Sequence, residues 1–225
     1  MGEKQGVAAI ADGVGTTLFS AAWAKLITQA AASDPPNPRN GQLLATWLTK
    51  QRQAWLAPID VNQLAWHQKP KFQEGAASTL LWTRVIPVEE PGGAPPRTFR
   101  LYAYAIGDSC LFHLSGGQVQ RAFPLEDSRL FAAPPRVLRS VEKTGQAAAE
   151  FDTLEDGCEW GDLLVLATDA LALWALEELE HGRDPQLETF WNYTEPQWRA
   201  RIEELRAARR IRVDDTTLVL LRIGN

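Results

Sequence analysis

Cysteine is scarce: the 225 residues hold two, Cys110 and Cys158. Neither sits in a Cys-x-x-Cys or zinc-type spacing, so a disulfide-built scaffold and a cysteine zinc site are excluded. Two buried free thiols in a reducing compartment are expected. Histidine is almost as rare; His67, His113 and His181 lie outside every motif, and none fits a ligand role. No run approaches the ~20 apolar residues of a membrane span. The stretch "MGEKQGVAAIAD" is too weakly apolar for a secretory leader, and Gly6 stands where N-myristoylation needs Ser or Thr. A cytoplasmic location follows as the expectation, with no membrane partner. There is no basic excess either. The formal net charge is -5, and the only Lys/Arg cluster is a helix face from Arg206 to Arg212, so a nucleic-acid partner is not expected. Cationic partners, metal ions included, remain open.

What is present is an ordinary globular composition, 45% hydrophobic and 23% charged. The length suits one domain over residues 1–225. Val7–Ala11 reads as a short buried strand. Leu18, Phe19, Ala22, Trp23, Leu26 and Ile27 follow at helical spacing, with Thr16 or Thr17 as the cap. "SDPPNPRNG" breaks that helix, and Leu43 to Trp55 mark a second. After Gly75 the period changes to that of strands: "STLLWTRVI", an exposed loop from Pro87 to Arg97, then Phe99–Ile106, Cys110–Leu114 and Gln118–Phe123. Those last three read as a hairpin-joined antiparallel meander with turns at Gly107-Asp108-Ser109 and Ser115-Gly116-Gly117. Residues 124–160 give no clear pattern, and a flap over a site is one possibility for them. A strand at Leu163–Thr168, a helix ending near Gly182, a capping box at Thr194–Gln197 and a last strand "TTLVLLRI" complete the chain. No internal repeat is present. The order implies α+β layering and not βαβ winding.

Three carboxylate positions share one context. Asp12 follows "VAAIA", Asp169 follows "LLVLAT", and Asp214-Asp215 precede "TTLVLL". Acids at neighbouring strand ends meet in one cleft, where they repel one another unless a hard cation such as Mg²⁺ or Mn²⁺ neutralises them. Gly13 would let the backbone turn so that its carbonyl faces an ion, and Gly15 would allow close approach. Each acid also has a plainer reading: Asp12-Gly13 as a turn, Asp169 as a helix cap, Asp214-Asp215 as a solvated turn. Trp47, Trp55 and Trp66 read as core, with a partner groove as the alternative.

Taken together and in order, "ADGVG" (Ala11–Gly15), "GAAST" (Gly75–Thr79), "IGDS" (Ile106–Ser109), "LLVLATDAL" (Leu163–Leu171) and "DDTTLVLL" (Asp214–Leu221) resemble the motifs of the metal-dependent type-2C (PPM) serine/threonine protein phosphatases, in their compact bacterial branch. The resemblance implies a β-sandwich of two antiparallel sheets flanked by helix pairs (α-β-β-α). It implies two divalent cations, Mn²⁺ or Mg²⁺, that activate a water to hydrolyse phosphoserine and phosphothreonine. Carried over by position, Asp12 would bridge both ions and the Gly13 carbonyl would bind one. Asp169 and Asp214 would hold the other, with Asp108 and Asp215 supporting from behind and Glu74 placed for a weak third metal. The partner implied is a phosphorylated protein, paired with a Ser/Thr kinase.

The sequence departs from that pattern in three places. Members usually carry an earlier strand with a phosphate-binding arginine. Here the first arginine is Arg39, which leaves that role to Lys4 or to an arginine from elsewhere. Val14 replaces a histidine proposed as general acid in some members, which implies a slower reaction, by a factor on the order of 10² or more. Ala170 replaces the usual glycine after Asp169, which a helical backbone tolerates. These departures motivate a second class of function, a pseudophosphatase or regulatory binding module that keeps the fold. A phosphate-binding loop at "DGVGTT" lacks the Gly-Lys-Ser/Thr it needs. A haloacid-dehalogenase nucleophile would need an acid where Val14 stands.

Overall fold

Leu163–Ala167 is buried at every position, which for a strand requires cover on both faces. Leu163, Val165 and Ala167 pack among Leu171, Trp174 and Leu176 of the following helix. Leu164 and Leu166 point the other way, against Ile10, Leu81, Leu101 and Ala103 of a second sheet. That alternation sets the layer order of the molecule.

The computed structural model describes residues 6–142 and 149–224. In chain order its elements are β1 (Gly6–Ile10), α1 (Ser20–Ser33), α2 (Gly41–Leu56), α3 (Gln68–Glu74), β2 (Ala77–Ser78), β3 (Leu80–Pro87), β4 (Thr98–Ile106), β5 (Cys110–Ser115), β6 (Gln118–Phe123), β7 (Leu138–Arg139), β8 (Asp152–Glu159), β9 (Leu163–Ala167), α4 (Asp169–Glu180), α5 (Glu195–Ala207) and β10 (Leu218–Arg222). They form two four-stranded sheets, β1-β3-β4-β8 and β10-β9-β5-β6, and a small β2-β7 pair. Every named pairing is antiparallel. The first sheet carries α1 and α2 on its outer face, through Trp23, Ile27, Leu44, Trp47 and Trp55 against Leu80, Trp82 and Ile106. The second sheet carries α4 and α5. The α+β layering expected from the sequence is the observed one.

Trp23 shows how one residue ties layers together. It is fully buried, and its indole N–H donates to the Leu138 carbonyl at 2.9 Å, joining α1 to β7. Truncating such a side chain to alanine costs about 3–5 kcal/mol. Asn40 caps α2 by accepting from the Leu43 N–H at 3.1 Å. The capping box at Thr194–Gln197 opens α5 as its sequence implied.

Several local expectations are corrected. The stretch from 99 to 123 is not a meander: β4 pairs with β3 and β8, whereas β5 pairs with β6 and β9, so Gly107-Asp108-Ser109 crosses between sheets. Hairpin and crossing share turn residues, and only the choice of partner strand separates them. Neither Thr16 nor Thr17 caps α1; the cap position is Phe19, in a left-handed conformation with φ 59°. Thr17 Oγ1 donates instead to the Val14 carbonyl at 2.9 Å and accepts from the Ala77 N–H at 3.1 Å. Within 124–160, β7 and β8 are sheet strands, and residues 143–148 lie outside the described residues. Trp47 and Trp55 are core, whereas Trp66 is 84% exposed. Cys110 and Cys158 are buried free thiols, as expected, and burial pushes both up to about 12. No helix among the described residues is long and apolar enough to cross a membrane.

Candidate active site

Register decides which loops meet. Ile10 pairs with Leu81, and Leu80 with Ile106. In the facing sheet Ala167 lies between Cys110 and Leu218. The loop after β1, the β4–β5 crossing, the turn from β9 into α4 and the entry to β10 therefore open at one end of the sandwich. They carry Asp12, Asp108, Asp169 and Asp214-Asp215.

The first of these loops is held by its own main chain. The Asp12 N–H donates to Thr79 Oγ1 at 3.0 Å, and the Asp12 carbonyl accepts from Ser78 Oγ at 2.6 Å and from the Thr79 N–H at 2.8 Å. Thr79 Oγ1 also shares a 2.9 Å hydrogen bond with Ser109 Oγ, so three of the sequence motifs are locked together beneath Asp12. Gly107, at φ +112°, is required here: a Cβ would stand 2.4 Å from Thr79 Cγ2. Gly13 is required for a different reason from the one expected. It has no positive φ, but a Cβ would lie 2.9 Å from the Ser20 backbone at the start of α1. Gly15 faces open space, so the close approach belongs to Gly13.

On the other sheet, Asp169 is the first residue of α4, where a carboxylate suits the helix dipole. Ala170 is helical, which accounts for its methyl group. Thr168 ties this turn to the entry of β10, accepting from the Thr217 N–H at 3.0 Å and donating to the Asp215 carbonyl at 3.3 Å. Asp214 is exposed. Its Oδ1 accepts from the Asp215 N–H at 2.8 Å, and its carbonyl accepts from Arg206 Nη2 at 2.6 Å.

The acids act on one another. Burial pushes Asp12 up to about 7, and the charges of Asp169, Asp214, Asp108 and Asp215 add to the rise. Asp108 is pushed up to about 6 by burial and by Asp169, against its own backbone hydrogen bond and the Arg212 charge. Asp169 is raised by burial and by Asp214, opposed by the Ala170 N–H and by Arg212. Mutual repulsion that adds to burial at all three carboxyls places them in one cleft. Glu74 is exposed at the end of α3 and is absent from the charges acting on Asp12. Lys4 lies outside the described residues. Arg212, read in the sequence as the end of a basic helix face, lies beyond α5, which stops at Ala207, and its charge acts on Asp108 and Asp169; its position two residues before Asp214 was the available signal.

Among the described residues, no three His, Cys, Asp or Glu side chains stand close enough together to form a ready metal cage. The donor chemistry nevertheless suits hard cations: the groups are all carboxylates, and among the described residues Asp169 Oδ1 is buried without a hydrogen-bond partner. An unpaired buried carboxylate oxygen is costly, and a bound cation removes that cost.

No protein-family model matches the sequence, and no curated protein matches it. Solved structures do. A catalytic domain of the serine/threonine phosphatase PstP, in complex with two manganese ions, is 20% identical, with TM-score 0.55, covering 97% of this chain and 90% of that one. The Mycobacterium tuberculosis phosphatase PstP/Ppp is also 20% identical, with TM-score 0.55 and coverage of 100% and 93%. The S. agalactiae serine/threonine phosphatase is 16% identical, with TM-score 0.50 and coverage of 96% and 86%. The chain thus has the α+β fold of bacterial PPM-type serine/threonine phosphatases.

Proposed function

We propose that this protein is a metal-dependent phosphoprotein phosphatase acting on phosphoserine and phosphothreonine. The observation that carries this reading is the convergence of Asp12, Asp108, Asp169 and Asp214-Asp215 at one end of the sandwich, where burial first and the neighbouring charges next lift Asp12 to about 7. Residues 1–225 act as one catalytic domain, with a cytoplasmic phosphoprotein as substrate and a Ser/Thr kinase as its counterpart.

Asp12 and the Gly13 carbonyl would hold one divalent ion, with Asp12 shared between two, and Asp169 and Asp214 would hold the second. When bound, such a pair supplies charge neutralisation at phosphorus and a water nucleophile at neutral pH. The chain itself does the positioning. Ser78 and Thr79 fix the Asp12 main chain, Thr168 fixes Asp169 against the entry to β10, and Asp108 and Asp215 shape the field. Asp214 and Arg212 have opposite effects on Asp169, the acid repelling its negative charge and the guanidinium attracting it. Val14 offers no proton, so the departing alcohol is protonated from solvent.

The test is hydrolysis of an aryl phosphate and of a phosphothreonine peptide with Mn²⁺ present or chelated. Turnover only with metal, abolished by Asp12→Asn and untouched by Asp34→Asn, supports the reading. Asp34 lies in a loop on the α1–α2 side, 3.7 Å from Lys50. Activity that is indifferent to chelation, or absent in millimolar Mn²⁺, overturns it.

The absence of a formed cage among the described residues favours a second reading, a pseudophosphatase that binds a regulatory partner. Calorimetric titration with Mn²⁺ separates the two. A chain that takes up no metal is not the enzyme, and one that takes up metal without turning over phosphopeptide is the binding module.

A further inference from the structure

Beside the acidic cluster lies a groove of the opposite sign. It has a volume of about 320 Å³, and its lining includes Ala170, Trp174, Arg206, Arg209, Arg210 and Arg212. Ala170 directly follows Asp169, so the groove begins where the acid site ends. One carboxylate, Glu177, shares its lining.

The four arginines divide into two pairs with different work. Arg206 is built into the wall: it binds Glu203 at 2.9 Å and the Asp214 carbonyl at 2.6 Å. Arg210 is anchored on the buried Glu178, which also holds Arg183. Arg209 and Arg212 are exposed, and among the described residues neither makes an ion pair within 4.0 Å. Arg209 moreover adopts φ 55° just past the end of α5, with the Arg210 N–H bonded to the Leu205 carbonyl at 2.8 Å. Helices that end this way favour glycine or asparagine at the left-handed residue, and an arginine held there is a local cost with a directional result. Two buried donors belong to the same wall: among the described residues neither Arg206 Nε nor Trp174 Nε1 has a partner. In a chain of net charge -5, this is a concentrated site for anionic chemistry.

We propose that the groove receives an acidic stretch flanking the phosphorylated residue of a protein substrate, with Arg209 and Arg212 gripping its carboxylates. The identity of the peptide rests on the phosphatase reading above; the acidic binding itself does not. A guanidinium presents two parallel N–H donors that match a carboxylate. The groove adjoins the acid cluster, so residues a few positions from the reacting phosphate reach it. Charge complementarity also explains how a site ringed by aspartates accepts an anionic substrate: the approach runs along the arginine side.

The experiment reads binding apart from turnover. A fluorescein-labelled, unphosphorylated threonine peptide with glutamates around the threonine is titrated by anisotropy at low salt, against the same peptide with glutamines. Tighter binding of the glutamate peptide is expected. Arg209→Gln and Arg212→Gln should each weaken it by about 2- to 5-fold, as for exposed charge pairs, whereas Arg199→Gln on α5, paired there with Glu195, should not. Equal binding of both peptides overturns the proposal. So does equal weakening by Arg199→Gln, which would indicate diffuse charge, and so does full displacement by an equimolar amount of inorganic phosphate, which would indicate a pocket for an isolated anion. Phosphorylated versions then test turnover: the glutamate peptide should have the higher kcat/KM, an advantage that Arg209→Gln reduces mainly through KM. Loss of metal-dependent turnover with peptide binding intact would refute the phosphatase and leave the groove standing.

Discussion

Replacing Asp12 by Asn removes a charge from the most crowded point of the site while keeping its shape. The carboxyl is raised from 3.8 to about 7 by burial first and by four neighbouring aspartates next. At about 1.36 kcal/mol per tenfold change in proton affinity, that rise corresponds to a ceiling of roughly 4 kcal/mol. Solvent screening of a half-buried group cuts it to about 2 kcal/mol. A folded-state value above the unfolded one means that the proton stabilises the fold. In the metal-free protein this contribution is fully present below pH 3.8 and is lost as pH rises through about 7. Urea denaturation of chelator-treated protein should therefore find Asp12→Asn equal to the parent near pH 4 and more stable by about 2 kcal/mol near pH 8. With Mn²⁺ the order should reverse, because the metal stabilises the parent. A variant that is less stable than metal-free parent at pH 8, or a difference that does not change with pH, refutes the idea that like charges crowd this site.

Other consequences concern the framework. Thr79→Val strips the partner from the Asp12 N–H and from Ser109, so denaturation should show a loss of about 2–3 kcal/mol together with weaker Mn²⁺ binding by calorimetry. Gly107→Ala places a methyl group 2.4 Å from Thr79 Cγ2 at φ +112°; a loss of at least about 2 kcal/mol is expected, and an unchanged melting temperature would contradict the crossing geometry. At the opposite end of the sandwich, His113 Nε2 lies 2.8 Å from Asp162 Oδ2. Burial pushes Asp162 upward, but hydrogen bonds from the Glu159 N–H, His113 and Ser115 outweigh it and hold the carboxyl below 3.8. The stability this contributes is present above pH 3.8 and fades as pH falls through the lower folded value. The deficit of Asp162→Asn, measured at pH 7, should accordingly close in acid.

Much of this protein is legible in its sequence, because period and punctuation are local properties. The apolar run "LLVLA", the helical spacing after Phe19, the capping box at Thr194 and the five short motifs with their acids can all be read from neighbours in the chain. Strand partnership is not local. Gly107-Asp108-Ser109 looks like a hairpin until β4 and β5 are seen in different sheets, and β8 stayed hidden because it is an edge strand with Thr153, Glu155, Gly157 and Glu159 exposed and only Cys158 fully buried. The same holds for the site. The sequence by itself supplied the carboxylates, the glycines and the order of motifs. Only the tertiary structure decided that Gly13 and not Gly15 meets a neighbouring backbone, that Glu74 stands apart from the charges on Asp12, and that Arg212 faces the acids. The reason is physical: residue type sets what a side chain can do, but electrostatic and steric effects depend on distance in space, and those distances exist only once two sheets have closed on a common core.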